Sequence, residues 1–286
     1  MPDTDGLIAR VGSFWRGVGS RLQGHGLPAG AALLWKRHGE RGVLEAIERP
    51  LPVRLDDLQC IDRQKAAAIR NTRQFLARLP ANNLLLWGPR GTGKSSLVRA
   101  LFNEFSGAGL KLVELPRDLL HDLPELGARL AGTGERFIVY CDDLSFDADD
   151  PGFRWLKTAL DGSLRGLPDS VLIYATSNRR HLMPETMQEN RDSRMVDGEL
   201  HLAEGIEEKL SLAERFGICL AFHPFDQEQY LAIVRHWLRR LGGTDPDSAE
   251  TREAALQWAL ERGSRSGRSA WQFARDRAGR QGLGVP

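Results

Sequence analysis

Between residues 84 and 222 short apolar runs alternate with longer stretches of helical period. The runs are Leu84–Trp87, Leu110–Leu115, Phe137–Cys141, Val171–Ala175 and Ile218–Phe222. Helical patterns such as Ser95–Phe105 and Phe153–Leu164 fall between them. Asp62–Leu79 precedes them, with Ala66, Ile69, Phe75 and Leu76 on one face and Pro80 as its stop. Apolar runs too short for helices, alternating with helices, predict strands buried on both faces. The predicted class is therefore α/β, a five-stranded parallel sheet flanked by helices. After Pro224 the pattern is helical only, over Gln227–Leu241, Ser248–Arg262 and Gly267–Gly279, which predicts a small C-terminal helical domain. Ahead of the sheet pattern, residues 7–22 read as an amphipathic helix, suited to a membrane surface or to packing on the protein or a partner. A second helix is predicted over Ala31–Glu48, and the chain breaks at Pro50–Pro52. The organisation read from this is an N-terminal helical extension over 1–54, an α/β core over 55–224 and a helical domain over 225–286.

The 286 residues are 41% hydrophobic and 27% charged, ordinary values for a globular chain that buries a substantial core. The net charge of +1 gives no global attraction to nucleic acid or anionic lipid. Cys60, Cys141 and Cys219 are widely spaced and form no C-x-x-C or Cys/His cluster, so they read as reduced thiols rather than zinc ligands. The opening M-P-D-T-D-G lacks the basic and apolar regions of a signal peptide, and no apolar run approaches the length of a membrane span. The expected location is cytoplasmic.

The run Leu84–Trp87 leads into Gly88-Pro89-Arg90-Gly91-Thr92-Gly93-Lys94-Ser95, which matches G-x-x-x-x-G-K-[ST]. Each residue type has a reason. Glycines allow backbone N–H groups to turn inward around a phosphate. The helix that starts near Lys94 presents its positive end. Lys94 supplies a cation for the β- and γ-phosphates, and the Ser95 hydroxyl is a magnesium ligand. Ser96 follows and reads as structural. The ligands implied are ATP or ADP with Mg²⁺.

Phe137–Cys141 runs directly into Asp142-Asp143, a buried strand delivering carboxylates to the sheet edge where open α/β sheets bind ligands. Asp142 is the expected magnesium residue, and Asp143 the group that polarises attacking water. Val171–Ala175 leads into Thr176-Ser177-Asn178, where Asn178 offers an amide to orient that water.

Over residues 55–280 these features resemble the AAA+ superfamily. G-P-R-G-T-G-K-S resembles its Walker A motif, F-I-V-Y-C-D-D its Walker B, and Y-A-T-S-N its sensor 1 strand, with Asn178 as the polar sensor. S-L-A-E-R-F-G resembles the segment that carries the arginine finger, which maps onto Arg215. G-S-R-S-G-R-S-A resembles sensor 2 of the helical lid, which maps onto Arg268, with Arg265 as its competitor. Leu55–Asp62 resembles the segment that enters the core beside the adenine, with Cys60 where many relatives have glycine. The strings C-D-D-L-S-F, A-T-S-N-R-R-H-L and E-E-K-L-S-L-A-E-R-F-G are similar to one bacterial AAA+ family, DUF815. The resemblance implies a homo-oligomer, because the finger acts in trans, and an unidentified macromolecular partner, a protein in the first instance.

The function this implies is an ATPase that remodels or regulates its partner. Most AAA+ proteins carry Glu where this chain has Asp143, which raises the alternative of a switch or loader with weak hydrolysis. A third reading is a DNA-binding module through Arg179, Arg180 and the arginine-rich end, but the net charge does not support it. The segment Pro116–Leu120 lacks the aromatic-hydrophobic-glycine loop of threading unfoldases, and the segment with Arg215 and the helical lid argue against a small-molecule kinase.

Overall fold

The structure, a computed structural model, describes residues 27–146, 150–161, 167–179, 194–196, 199–201 and 214–284. In chain order the elements are β1 (Ala32–His38), β2 (Arg41–Ala46), α1 (Asp62–Leu76), β3 (Leu84–Trp87), α2 (Lys94–Phe105), β4 (Leu110–Glu114), α3 (Leu123–Leu130), β5 (Arg136–Cys141), α4 (Pro151–Leu160) and β6 (Val171–Ser177). A separate antiparallel pair follows, β7 (Arg194–Val196) and β8 (Glu199–His201). Then come β9 (Ile218–Ala221), α5 (Gln227–Arg240), α6 (Ala249–Glu261) and α7 (Gly267–Gly282). The main sheet has the order β2-β1-β4-β5-β6-β3-β9. Only the β1–β2 pairing is antiparallel.

The five expected strands are β3, β4, β5, β6 and β9, and they lie side by side. Two more extend them, so the sheet has seven strands rather than five. The extra pair corrects the reading of residues 31–48 as a helix. They form a hairpin, with His38 paired to Arg41 across the two-residue turn Gly39-Glu40, and β1 pairs in parallel with β4. Gly39 sits at φ 63, the left-handed backbone that such a turn requires at its first position. Leu33 and Trp35 are fully buried at alternate positions, and the Trp35 indole donates to the buried Asp122 carboxylate at 2.9 Å. Burial against β4 and α3 therefore overrides whatever helical period residues 31–48 carry. The amphipathic segment 7–22 lies outside the described residues.

Alternation along each central strand feeds two apolar layers. Leu84, Leu86, Ile138 and Tyr174 face one side; Leu85, Val113, Val139 and Ile173 face the other. The first layer is continuous with the C-terminal helices through Phe225, Tyr230 and Ala270. Those helices begin at side-chain caps: Asp226 accepts from the Gln229 N–H, Ser248 from Thr251 and Ser266 from Ser269. Because β3, β5 and β6 are parallel and adjacent in space, the loops leaving them open at one edge of the sheet. Among the described residues no helix is long and apolar enough to cross a membrane.

Candidate functional site

The loop after β3 is shaped by its glycines. Gly91 has φ 76, and a Cβ there would lie 2.7 Å from the Ser266 Cβ, so backbone conformation and close approach both demand glycine. Gly93, at φ 100, is the N-cap of α2, and no side chain caps this end. The helix therefore points unpaired N–H groups and its positive end into the loop, a donor set suited to phosphate.

Lys94 is buried, and its ammonium donates to the carbonyls of Gly88 at 2.6 Å and Pro89 at 2.8 Å and to the Asn178 amide oxygen at 3.0 Å. Burial pushes its pKa down to about 8, against the opposing pull of Asp143 and Asp142. An anion placed in the loop would restore the favourable field that burial removes.

Asp142 closes β5. Its Oδ1 accepts from the Ser95 hydroxyl at 2.7 Å and the Thr176 hydroxyl at 2.6 Å, and its Oδ2 lies 3.5 Å from the Arg99 guanidinium. Burial would raise its pKa; hydrogen bonds led by that of Thr176, together with Arg99, outweigh burial and hold it below the usual value. The carboxylate therefore stays ionised beside Ser95. Among the described residues no group of three or more His, Cys, Asp or Glu forms a metal cage. A divalent ion here would rest on Ser95, Asp142, water and ligand phosphate oxygens, the donor set magnesium accepts.

Asp143 adopts φ 52, in the left-handed region few non-glycine residues visit. Its N–H donates to the Thr176 Oγ1 at 2.9 Å, which fixes the turn. Its carboxylate accepts from the Asn178 amide and lies 3.6 Å from the Arg90 guanidinium. Thr176 thus ties both aspartates together, a role the sequence reading did not assign, as it did not assign Arg99 to Asp142. A threonine one position beyond an apolar strand carries no signal of its own; only the parallel β5–β6 register, with Cys141 opposite Ala175, brings it there.

The C-terminal helices cover the loop. The Gly267 N–H donates to the Gly91 carbonyl at 2.8 Å, seating the start of α7 on the loop, and Arg268 lines the cavity beneath. Arg265 is exposed and lies outside that lining, so the structure brings Arg268 and not Arg265 to the site. The cavity holds about 840 Å³, ample for a nucleotide. Its walls include the loop from Arg90 to Ser96, Asp142, Asp143 and Asn178, and on the far side Leu58, Gln59, Ile61 and Trp237. Cys60, between two of these, has φ 63. That backbone explains physically why glycine suits this position.

Asp57 was another unpredicted participant. Its side chain is 1% exposed and pairs with Arg240 of α5 at 2.7 Å, across the cavity's rim. Arg215 is set apart: it follows the undescribed segment 202–213 and pairs with Asp161 at the end of α4, outside the lining of this cavity.

A protein-family model described as "Protein of unknown function (DUF815)" matches residues 29–281. The match begins upstream of residue 55 and takes in the β1–β2 hairpin. Among solved structures, the chain is similar to the RuvB Holliday junction branch migration motor of Thermotoga maritima, with 15% identity and a TM-score of 0.53 over 82% of this chain and 67% of that one. It is also similar to the ORC1 protein of Aeropyrum pernix solved in complex with DNA, with 16% identity and a TM-score of 0.53 over 75% of this chain and 58% of that one. Identities this low speak for a shared fold.

Proposed function

The chain belongs to the DUF815 family and has the AAA+ P-loop fold, and on that premise we propose that it is an ATPase that couples binding and hydrolysis of ATP with Mg²⁺ to remodelling or regulating a macromolecular partner. The observation that carries this is the convergence of Ser95 and Thr176 on Asp142 Oδ1, beside the uncapped end of α2 and the Lys94 ammonium. Bound Mg-ATP supplies a phosphoanhydride poised for hydrolysis. The protein's own part is positional. Backbone N–H groups from Gly91 to Ser95 cradle phosphate, with Gly88, Pro89, Arg90 and Ser96 framing the loop. Lys94 neutralises charge, and Ser95 and Asp142 hold the metal. Asp143 and Asn178 orient water, and Arg268 reports the terminal phosphate to the lid. Arg215, outside its own chain's cavity, acts on the site of a neighbouring copy in a homo-oligomer. The location that fits is cytoplasmic.

One observation favours a second reading, a switch or loader that turns over slowly. The Asp143 carboxylate is one methylene shorter than the glutamate most AAA+ proteins carry. It also accepts from the Asn178 amide and lies 3.6 Å from the Arg90 guanidinium. Binding would then drive assembly on a partner, and hydrolysis would end it.

Steady-state ATP hydrolysis against protein concentration decides between them, with Lys94→Ala as control. The ATPase reading expects specific activity that rises with concentration, vanishes in Lys94→Ala and falls in Arg215→Ala without loss of ATP affinity. Tight binding with no turnover at any concentration supports the switch. Unaltered ATP affinity in Lys94→Ala would remove the loop from the site.

A further inference from the structure

On the outer side of the lid, α6 and α7 enclose a second, open cavity of about 450 Å³, lined by Trp258, Arg262, Trp271, Gln272, Arg275 and Asp276. Trp271 is a wall of both this cavity and the one beneath the lid. Two guanidiniums lie on two indoles. The Arg262 carbon sits 3.4 Å from the Trp258 ring centre and the Arg275 carbon 4.6 Å from that of Trp271. Neither arginine has a carboxylate partner among the described residues. The neighbouring charges are spoken for: Asp276 pairs with Arg280 at 3.0 Å, and Arg277 with Glu250 at 2.7 Å. Residues 262–282 hold six arginines against one aspartate, in a chain whose net charge is +1. Over both helices, residues 249–282, seven arginines stand against four acids, a local excess of three positive charges.

We propose that this outer face of the lid binds single-stranded nucleic acid, taking one nucleotide unit in the Trp258–Trp271 cavity. A guanidinium seated over an indole offers its outer face to a nucleobase and its N–H edge to a phosphate. Two such platforms side by side match the stacking-plus-cation design of single-strand binders. The cavity volume is within the range of sites for ligands of nucleotide size. The carboxylates of an acidic peptide would use the charge but carry no aromatic ring to extend the stacks. The shared Trp271 places this strand against the wall of the ATP cavity. The inference does not rest on hydrolysis at that cavity.

The test is fluorescence anisotropy of a fluorescein-labelled oligothymidylate of about 15 nucleotides with the full chain, saturated with Mg-ATP, across a salt series. The expected result is salt-sensitive binding that Arg262→Gln/Arg275→Gln weakens tenfold or more. That pair should also make the slope of log affinity against log salt shallower by about 1.4, at about 0.7 per lost phosphate contact. Arg262→Lys/Arg275→Lys should keep the slope yet lose affinity, because lysine retains charge but not the stacked plane. Binding of a fluorescent ATP analogue in every variant verifies that the fold and the other cavity are intact. It also separates failure here from failure of the ATPase reading. Competition by thymidine monophosphate as effective per site as the oligonucleotide would assign the cavity to a free nucleotide, with the same base-and-phosphate chemistry. No binding by the unaltered chain, unchanged affinity in the glutamine variant, or equal competition by polyglutamate would each overturn the proposal.

Discussion

Lys94 gives a prediction with a definite sign. Its pKa of about 8 in the free protein follows from burial in the loop after β3. On the proposed function ATP binds the charged form, and phosphate in the loop would raise the pKa again. At pH 7 about nine-tenths of the free protein carries the charge; at pH 9 about one-tenth does, by the titration of a group at pKa 8. ATP affinity should therefore fall about tenfold between pH 7 and pH 9, or about 1.4 kcal/mol. The ligand scarcely confounds this, since a phosphate with a second pKa of about 6 is already about nine-tenths ionised at pH 7. Asp142, held below the usual carboxylate value, also stays ionised throughout. The stability of the free protein moves the other way. The folded pKa lies below the unfolded 10.5, so the unfolded chain binds more protons between about 8 and 10.5. The contribution of Lys94 to stability thus rises with pH over that window. Titration of a fluorescent ATP analogue with magnesium from pH 7 to 9.5 measures the first effect. Lys94→Arg, which keeps its charge, should show a flat profile. A wild-type profile that changes less than twofold, or an arginine variant with the same fall, would refute the reasoning.

Asp142→Asn keeps shape but removes the charge that Ser95 and Thr176 surround. Hydrolysis should drop about a hundredfold or more, and the magnesium-dependent part of ATP affinity should disappear, as read by titrations with and without the metal. Gly42→Ala would place a Cβ 1.9 Å from the Trp35 ring, and overpacking of this kind should cost about 1–3 kcal/mol in urea unfolding. An unchanged midpoint would mean that the hairpin is not part of the cooperative core. Arg240→Ala removes the guanidinium from the buried Asp57 carboxylate, leaving it the Arg54 N–H at 3.0 Å and the His236 ring at 3.5 Å. Breaking a fully buried pair costs about 3–5 kcal/mol; with Arg240 35% exposed, the expected loss is about 2–3 kcal/mol in the same assay.

Much of the architecture is legible in local sequence, because each signal is carried by consecutive residues. Leu84–Trp87 is a run too short for a helix and too apolar for a surface, and Gly88–Ser95 follows it directly, so strand, turn and helix start are specified within a dozen positions. Asp142 is legible for the same reason, as the acid that ends a buried strand. The hairpin is read as a helix, although His38-Gly39-Glu40-Arg41 between Leu33-Leu34-Trp35 and Val43-Leu44 carries a two-residue glycine turn that could have signalled it. Its competing helical reading fails only because β4 lies beside β1, a pairing 80 or so residues distant that local propensity does not record.

The sequence alone thus determines the phosphate loop, the acidic strand end and the helical C-terminal region, since each depends on the order of near neighbours. Tertiary structure decides what those parts touch. Parallel pairing of β5 with β6 makes Thr176 the clasp of both aspartates. The seating of α7 on Gly91 puts Arg268, and not Arg265, in the cavity wall. The burial of Lys94 lowers its pKa, the proximity of α5 gives Asp57 its partner, and the packing of α6 on α7 brings two arginine-capped tryptophans to one cavity. Contacts between residues far apart in the chain are products of packing, and they appear only once the sheet has set its strand order and the lid has closed on the loop.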